Sequence, residues 1–318
     1  MKTPDDLISE LVKFGFMYPP QSVKLSGVVR FPGITKGKDN VAGWLWMSSD
    51  GLLATYNCWT RLGPNILWSM RKLSAKEKEQ ARREWEEHRA AEEAERAEKQ
   101  AATAKYALNY VSNCYPADTD NAYVARKKIS DPSGALEDDT GALVIPIINS
   151  ENKVTSYQRV FFDKGKDKFE KRFCSGGQKK DCYMIVQGNP KTAKYIFICE
   201  GWATGKSFIE LQKFFKLYSD NSAVIAAIDS GNLVSVARLV VTKLNKSALD
   251  YTIIADDDRI TQGNPGQTAA KAAQETIHTL IGEKPEIKSP EWSLLRHDDK
   301  TGTDMNDLWV KFKEELVE

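Results

Sequence analysis

The chain has 318 residues, 41% of them hydrophobic and 28% charged, which allows a sizeable core and two or three domains rather than one. With 45 basic and 44 acidic side chains the formal net charge is +1, so overall charge gives no attraction to a polyanion and any basic surface must be local. The five cysteines (Cys58, Cys114, Cys174, Cys182, Cys199) form no CxxC pair, which excludes a zinc ribbon and fits reduced thiols in a cytoplasmic protein. Met1-Lys-Thr-Pro-Asp-Asp lacks the basic start and apolar run of a signal peptide, and no apolar stretch approaches the ~20 residues that span a bilayer, so no membrane association is expected.

Residues 1–15 predict a short helix, with Leu7, Ile8, Leu11 and Val12 on one face after a Thr3-Pro4 start. Residues 22–70 hold Trp44, Trp46, Trp59 and Trp68 among short apolar runs broken by Gly, Asn and Asp, the pattern of a small β-rich module. Its tryptophans serve as core, and aromatics on a small sheet can also stack unpaired bases. Residues 74–106 predict a charged helix with eight Lys/Arg and nine Asp/Glu, opened by Ser74 and Glu77 at capping-box spacing, and read as a solvated linker. Another helical segment is expected over 107–130.

Residues 141–148 and 154–162 read as two strands around the turn Asn149-Ser-Glu-Asn152, a hairpin. Residues 159–180 carry eight Lys/Arg against three Asp/Glu, interleaved with Phe161, Phe162, Phe169 and Phe173. A local positive excess beside aromatics suits a phosphate backbone; lysines protecting a hairpin edge are the alternative, but the position immediately before the acidic centre favours polyanion binding. From Tyr195 strands and helices alternate: strands over 195–199, 223–228 and 251–255, helices over about 205–217, 232–245 and 266–281. That is βαβαβα, a compact parallel α/β domain. A last helix runs from Leu308 to Val317.

The chemistry sits at strand ends. Gly201-Trp-Ala-Thr-Gly-Lys-Ser207 approximates a phosphate-binding P-loop, but three residues rather than four separate its glycines, and Glu200 would repel the phosphate, so that reading fails. Glu200 follows one buried strand, and Asp256-Asp-Asp258 follows another. Carboxyl ends of strands in one parallel sheet share an edge, so Glu200, Asp256 and Asp258 can converge, and three hard oxygen ligands describe a magnesium site. Alternation in an extended segment puts Asp256 and Asp258 on one side and turns Asp257 away.

Glu200-Gly201, Ser230-Gly-Asn232 and Asp256-x-Asp258, each after a strand, resemble the Toprim domain of replicative primases, topoisomerases, OLD-type nucleases and recombination mediators. Leu143 to Arg159 resembles the primase segment just upstream of Toprim, and Asp258-Arg259 with Asn264-Pro-Gly-Gln-Thr-Ala-Ala270 resembles the acidic loop entering a helix. Tyr123-x-x-x-Lys-x-Ile129, Gly176-Gly-x-Lys-Lys180 and Gly231-Asn-Leu233 are similar to elements of the primase-like Toprim proteins of phages and mobile elements.

The resemblance implies an α/β fold: a C-terminal Toprim domain (191–290), a compact parallel sheet flanked by helices, preceded by a basic α+β subdomain (107–190). A Trp-rich β module (1–73), a charged helical linker (74–106) and a C-terminal acidic element with its helix (291–318) complete it. It implies primer synthesis from NTPs on a single-stranded DNA template by two-metal nucleotidyl transfer. Glu200 would be an acid/base or metal-linked carboxylate, and Asp256 and Asp258 the ligands of Mg2+ (or Mn2+). Asp304 or Asp307 would add a further carboxylate. Arg159, Lys171, Arg172, Lys179, Lys180, Asn232 and Arg259 would hold template or triphosphate. Without a zinc module, either residues 20–70 replace it, or template choice is loose, or a partner supplies it; any replicative helicase is a separate protein. A Mg-dependent Toprim nuclease and a non-catalytic single-stranded-DNA-binding module are the alternatives.

Overall fold

The computed structural model describes residues 3–34, 41–59, 61, 63–296 and 301–317. The chain divides into two compact units, Met1–Glu98 and Lys99–Glu318.

In the first unit, helix α1 (Pro4–Phe14) starts at Thr3, which forms a capping box with Asp6, and stops at Gly15, whose φ of 112° few other residues adopt. Leu7 and Leu11 are fully buried, whereas Val12 is exposed. Four strands, β1 (Gly27–Phe31), β2 (Gly43–Met47), β3 (Leu53–Cys58) and β4 (Ile66–Ser69), form an antiparallel sheet in chain order. Phe16, Phe31, Leu45, Met47 and Tyr56 fill the core against α1.

Helix α2 (Ala75–Ser112) is opened by the expected Ser74–Glu77 box: Glu77 Oε2 accepts from the Ser74 backbone at 2.8 Å, and Ser74 Oγ accepts from the Glu77 backbone at 3.3 Å. It does not end at 106, and no separate helix spans 107–130. Its last turns acquire a buried side, because Ala107, Tyr110 and Val111 pack with Val144 and Tyr157, which prolongs the helix. Beyond it come β5 (Tyr115–Pro116), the one-turn α3 (Ala122–Arg126) and β6 (Leu136–Glu137).

The expected hairpin is β7 (Leu143–Ile148) with β8 (Val154–Asp163), and the basic stretch supplies a further strand, β9 (Lys168–Phe173). These join β5 and β6 in one five-stranded antiparallel sheet, in the order β5-β6-β7-β8-β9.

The second five-stranded sheet has the order β10 (Met184–Gln187), β12 (Ser222–Ala226), β11 (Tyr195–Cys199), β13 (Asp250–Ile254), β14 (Glu286–Lys288). Strands β11, β12 and β13 are parallel, as expected, and β14 adds a further parallel strand, but β10 runs antiparallel along the β12 edge, so the sheet is mixed. The edge strands β10 and β14 are too short to show a period in sequence. Helix α4 (Trp202–Phe214) follows β11, α5 (Ser230–Leu239) follows β12, and α6 (Pro265–Ile281) follows β13; α7 (Met305–Glu315) closes the chain. The first two start three and two residues earlier than expected, because Gly201 and Asp229 are themselves the caps.

Candidate active site

The register places the candidate acids. Cys199 pairs with Ala226 on one side and with Ile254 on the other, so the carboxyl ends of β11, β12 and β13 are level. Glu200 leaves β11 one residue later, and Asp256 leaves β13 two residues later. Helix α6 starts tightly against this edge: a Cβ at Gly266 would lie 2.5 Å from the Asp256 carbonyl oxygen. The Gly266 amide donates to Asp258 Oδ2 at 3.0 Å, which fixes that carboxylate over the positive end of α6. Thr204 Oγ1 stands 3.5 Å from Asp256 Oδ1.

Asp257 has a different task. Its carboxylate accepts from Asn264 Nδ2 at 2.9 Å and Trp292 Nε1 at 3.3 Å, and its amide donates to the Thr303 carbonyl at 2.6 Å. Arg259 closes the same group, its Nε 3.7 Å from Asp257 and its guanidinium over the Trp292 ring. The middle aspartate thus ties the acidic loop to the C-terminal segment while its neighbours face the strand ends.

The C-terminal acids arrive on α7. Asp304 caps this helix by accepting from the Asp307 amide at 2.8 Å, and Asp307 accepts from the Thr303 amide at 3.0 Å. Burial, then the charges of Asp304, Glu200 and Asp258, push the Asp256 carboxyl up to about 8. Burial and Asp258 raise Glu200, and burial and Asp307 raise Asp304. Lys171 is the cation that opposes all three shifts. Glu200, Asp256, Asp258 and Asp304 therefore form one electrostatic cluster with Lys171 beside it.

Among the described residues no three His, Cys, Asp or Glu side chains stand assembled as a metal cage. The donor chemistry nonetheless fits a hard divalent cation: every donor is a carboxylate oxygen, and the cluster's mutual repulsion is what such a cation would relieve.

The predicted basic set splits. On β9 the side chains alternate, and Lys171, opposite Val160, shares the core-side face with Phe169 and Phe173. Arg159 and Arg172 pair on the other face, each with its guanidinium over the Phe161 ring. Arg159 is engaged there, its Nε 2.6 Å from Asp138 and its Nη2 2.6 Å from Thr140 Oγ1. Lys179 lies over the Phe173 ring, 3.3 Å from Asp229; Lys180 is exposed. Asn232 is buried, and its amide donates to the carbonyls of Lys179, Cys182 and Ala227, each at 2.9 Å. It holds the Gly176–Lys180 loop to the end of β12.

Motif reading left Lys127 out of the site. Its charge acts on Asp304, and it lines a cavity of about 790 Å³ with Tyr123, Lys171, Asp307 and Lys311. It is the lysine of the Tyr123-x-x-x-Lys element, so the signal was in the sequence. The segment that approximates a P-loop cradles nothing: Lys206 is buried inside α4 and donates to Ser133 Oγ and Gln187 Oε1 at 3.2 and 3.3 Å.

A mixed α/β fold with acids gathered at the ends of parallel strands, beside a lysine-lined cavity, is the class of protein defined here, and the resemblance to Toprim-type primases of mobile elements holds over more than two thirds of the chain. The chain is 30% identical over 239 residues to a DNA primase TraC of Escherichia coli, covering 72% of this chain and 21% of that protein. A second Escherichia coli DNA primase TraC is 29% identical over 226 residues, 68% of this chain and 15% of the relative. The chain thus spans about a fifth or less of the length of these curated relatives. Among solved structures, a DnaG primase catalytic domain bound to single-stranded DNA is 12% identical, with a TM-score of 0.39 over 69% of this chain and 78% of that one. A DNA primase domain from Pseudomonas aeruginosa is 13% identical, with a TM-score of 0.33 over 55% and 51% of the two chains. No model of a known protein family matches the chain. Among the described residues no helix is long and apolar enough to cross a membrane.

Proposed function

We propose that this chain is a nucleotidyltransferase that makes short primers from nucleoside triphosphates on single-stranded DNA, in the replication of a mobile element or phage. The observation that carries this reading is the cluster of Glu200, Asp256, Asp258 and Asp304 at the ends of neighbouring strands, with Lys171 beside it. The sequence likeness to DNA primase TraC supports it.

In this reading Asp256 and Asp258 hold Mg2+ (or Mn2+), with Glu200 and Asp304 completing the set and Asp307 holding the start of α7. Divalent ions held there supply charge neutralisation for phosphoryl transfer, in which negative charge spreads over the reacting oxygens. The chain's own residues orient the reactants. Lys171, on the face of β9 turned toward the acids, and Lys127, beside Asp304, reach into the cavity and hold the triphosphate. Lys179 and Lys180, on the loop fixed by Asn232, guide the template strand, and Arg259 keeps the acidic loop in place through Asp257. Arg159 and Arg172, on the opposite face, serve that sheet and an outer path of the strand. The domain after residue 190 is of the Toprim type, and unwinding falls to a separate helicase.

The test is template-dependent synthesis with single-stranded DNA, four labelled NTPs and magnesium. Short products that fall by ~100-fold or more in Glu200→Gln, a loss of ~3 kcal/mol in the transition state, are expected. Synthesis that survives in Glu200→Gln and Asp256→Asn, or DNA that is cut instead of copied, would sink the reading.

A further inference from the structure

The first unit carries a cleft that the proposed chemistry does not use. Trp44 on β2 and Trp85 on α2 lie nearly parallel, ring centroids 5.6 Å apart and planes 6° apart. His88 continues that stack on Trp85 at 6.1 Å and 8°. Trp59, just past β3, tilts toward Trp44 at 6.4 Å and is 69% exposed. The three tryptophans border a cavity of about 420 Å³, within the ~300–1,000 Å³ range of ligand clefts.

Packing explains Trp46 and Trp68, which are buried; it does not explain Trp59. A large aromatic left in water forgoes the hydrophobic gain that places its neighbours inside. Trp85 is also out of character with its helix, being the sole Phe, Tyr or Trp among residues 75–105.

The cleft's rim is basic. Arg30, Arg61 and Arg89 border it, and none of the three has a carboxylate partner within ion-pair distance among the described residues. Arg30 lies over the Trp59 ring at 5.3 Å. Glu92 and Glu93 also border the cleft, but Glu93 is matched by Arg96 at 3.6 Å, so the local balance stays positive.

We infer that this cleft holds an unpaired base of a nucleic-acid single strand, stacked against Trp59 and Trp44, with the adjoining phosphates on Arg30, Arg61 and Arg89. Stacking tolerates any base because each has a π-face, and arginine serves both phosphate and ring. A duplex keeps its bases paired inside and offers only phosphates, so it competes weakly. The inference is independent of catalysis; where primer synthesis holds, the bound strand is the template.

The experiment uses the full chain in EDTA and the anisotropy of a labelled single-stranded oligonucleotide of mixed sequence. Trp59→Ala is expected to raise Kd roughly tenfold, and Trp59→Phe to keep most of the affinity, because stacking requires a ring rather than an indole. Arg89→Gln is expected to weaken binding and to lower the salt slope by about one released counterion. Both positions are exposed, so the thermal melt should not move. An unchanged Kd in Trp59→Ala and in Arg89→Gln would overturn the inference, as would equal competition by duplex of the same length. Displacement of the oligonucleotide by equimolar nucleoside triphosphate would overturn it too, marking a mononucleotide site. The same titration on Asp258→Asn separates the two readings: a protein that binds through the cleft yet makes no primers leaves the inference standing and removes the catalytic one.

Discussion

Lys206→Met should stabilise this protein, and the structure says by how much and at which pH. Lys206 is 2% exposed and lies within α4, its ammonium donating to Ser133 Oγ and Gln187 Oε1 but, among the described residues, to no carboxylate within ion-pair distance. Burial lowers it from the ordinary 10.5 to about 8, against a weaker opposing pull from Asp131. At ~1.4 kcal/mol per pH unit, keeping the charge inside costs ~3 kcal/mol at neutral pH. Methionine keeps the aliphatic stem beside Trp202 and removes the charge. Ser133 and Gln187, already 3.4 Å apart, retain one another as partners, so the lost hydrogen bonds return ~1 kcal/mol. The net gain of ~2 kcal/mol is a rise in melting temperature of ~4–8 °C for a unit of this size. The sign with pH follows from proton counts. Between about 8 and 10.5 the unfolded lysine holds a proton that the folded one has released, so the native protein gains stability as pH rises through that window. The variant's lead should therefore be full below about 8 and fade toward 10.5. Thermal melts of both proteins across this range decide it. A lower melting temperature for the variant at neutral pH, or a lead independent of pH, would refute the reasoning.

Three more outcomes are expected. Gly266→Ala drives a methyl group to 2.5 Å from the Asp256 carbonyl oxygen, so α6 and the acidic loop must separate; we expect ~1–3 kcal/mol of lost stability in urea and a larger proportional loss of primer synthesis. Asp138 is buried, which alone would raise its carboxyl, but bonds from Arg159, Thr140 and Tyr110 hold it well below the usual carboxylate range. Asp138→Ala leaves Arg159 uncompensated and should cost ~3–5 kcal/mol in urea unfolding. Because this carboxyl is depressed, its contribution is whole above the ordinary 3.8 and is lost as pH falls below it, so the variant and the native protein should converge in acid. Asn232→Leu removes the amide partner of the Cys182 and Ala227 carbonyls, the Lys179 carbonyl keeping the Cys182 amide, and frees the loop that carries Lys179; ~2 kcal/mol of stability and weaker strand binding should go together, read by melts and by oligonucleotide titration.

The parts of the fold legible in the sequence are those with a strong period or a cap. Strands β11, β12 and β13 are apolar runs followed by an acid within three residues, and their positions follow within two residues. Ser74–Glu77 fixes the start of α2 because a capping box is local chemistry. Its end at Ser112 was not legible, since what prolongs the helix is contact with Val144 and Tyr157, more than thirty residues away. Strands β10 and β14 were missed for a similar reason. Four and three residues show no period, and it is the neighbouring strand that makes them strands.

The candidate site divides along the same line. Glu200, Asp256 and Asp258 were found because a carboxylate after a buried strand is a pattern within one segment. The basic residues were gathered by counting charge over 159–180, and counting ignores the two-residue alternation of a strand. Lys171 and Arg172 are neighbours in sequence and stand on opposite faces of β9. The discriminating signal was present: Lys171 sits between Phe169 and Phe173, which pack on the core, whereas Arg159 and Arg172 share their face with Phe161. A lysine placed among core-facing phenylalanines reaches the inner side of its sheet, which is where the acids are. Lys171→Ala should impair primer synthesis strongly and raise the apparent KM for NTP, whereas Arg172→Ala, on the far face, should leave that KM within about twofold. Equal effects at the two positions would mean that the face of β9 does not decide which residue serves the reaction.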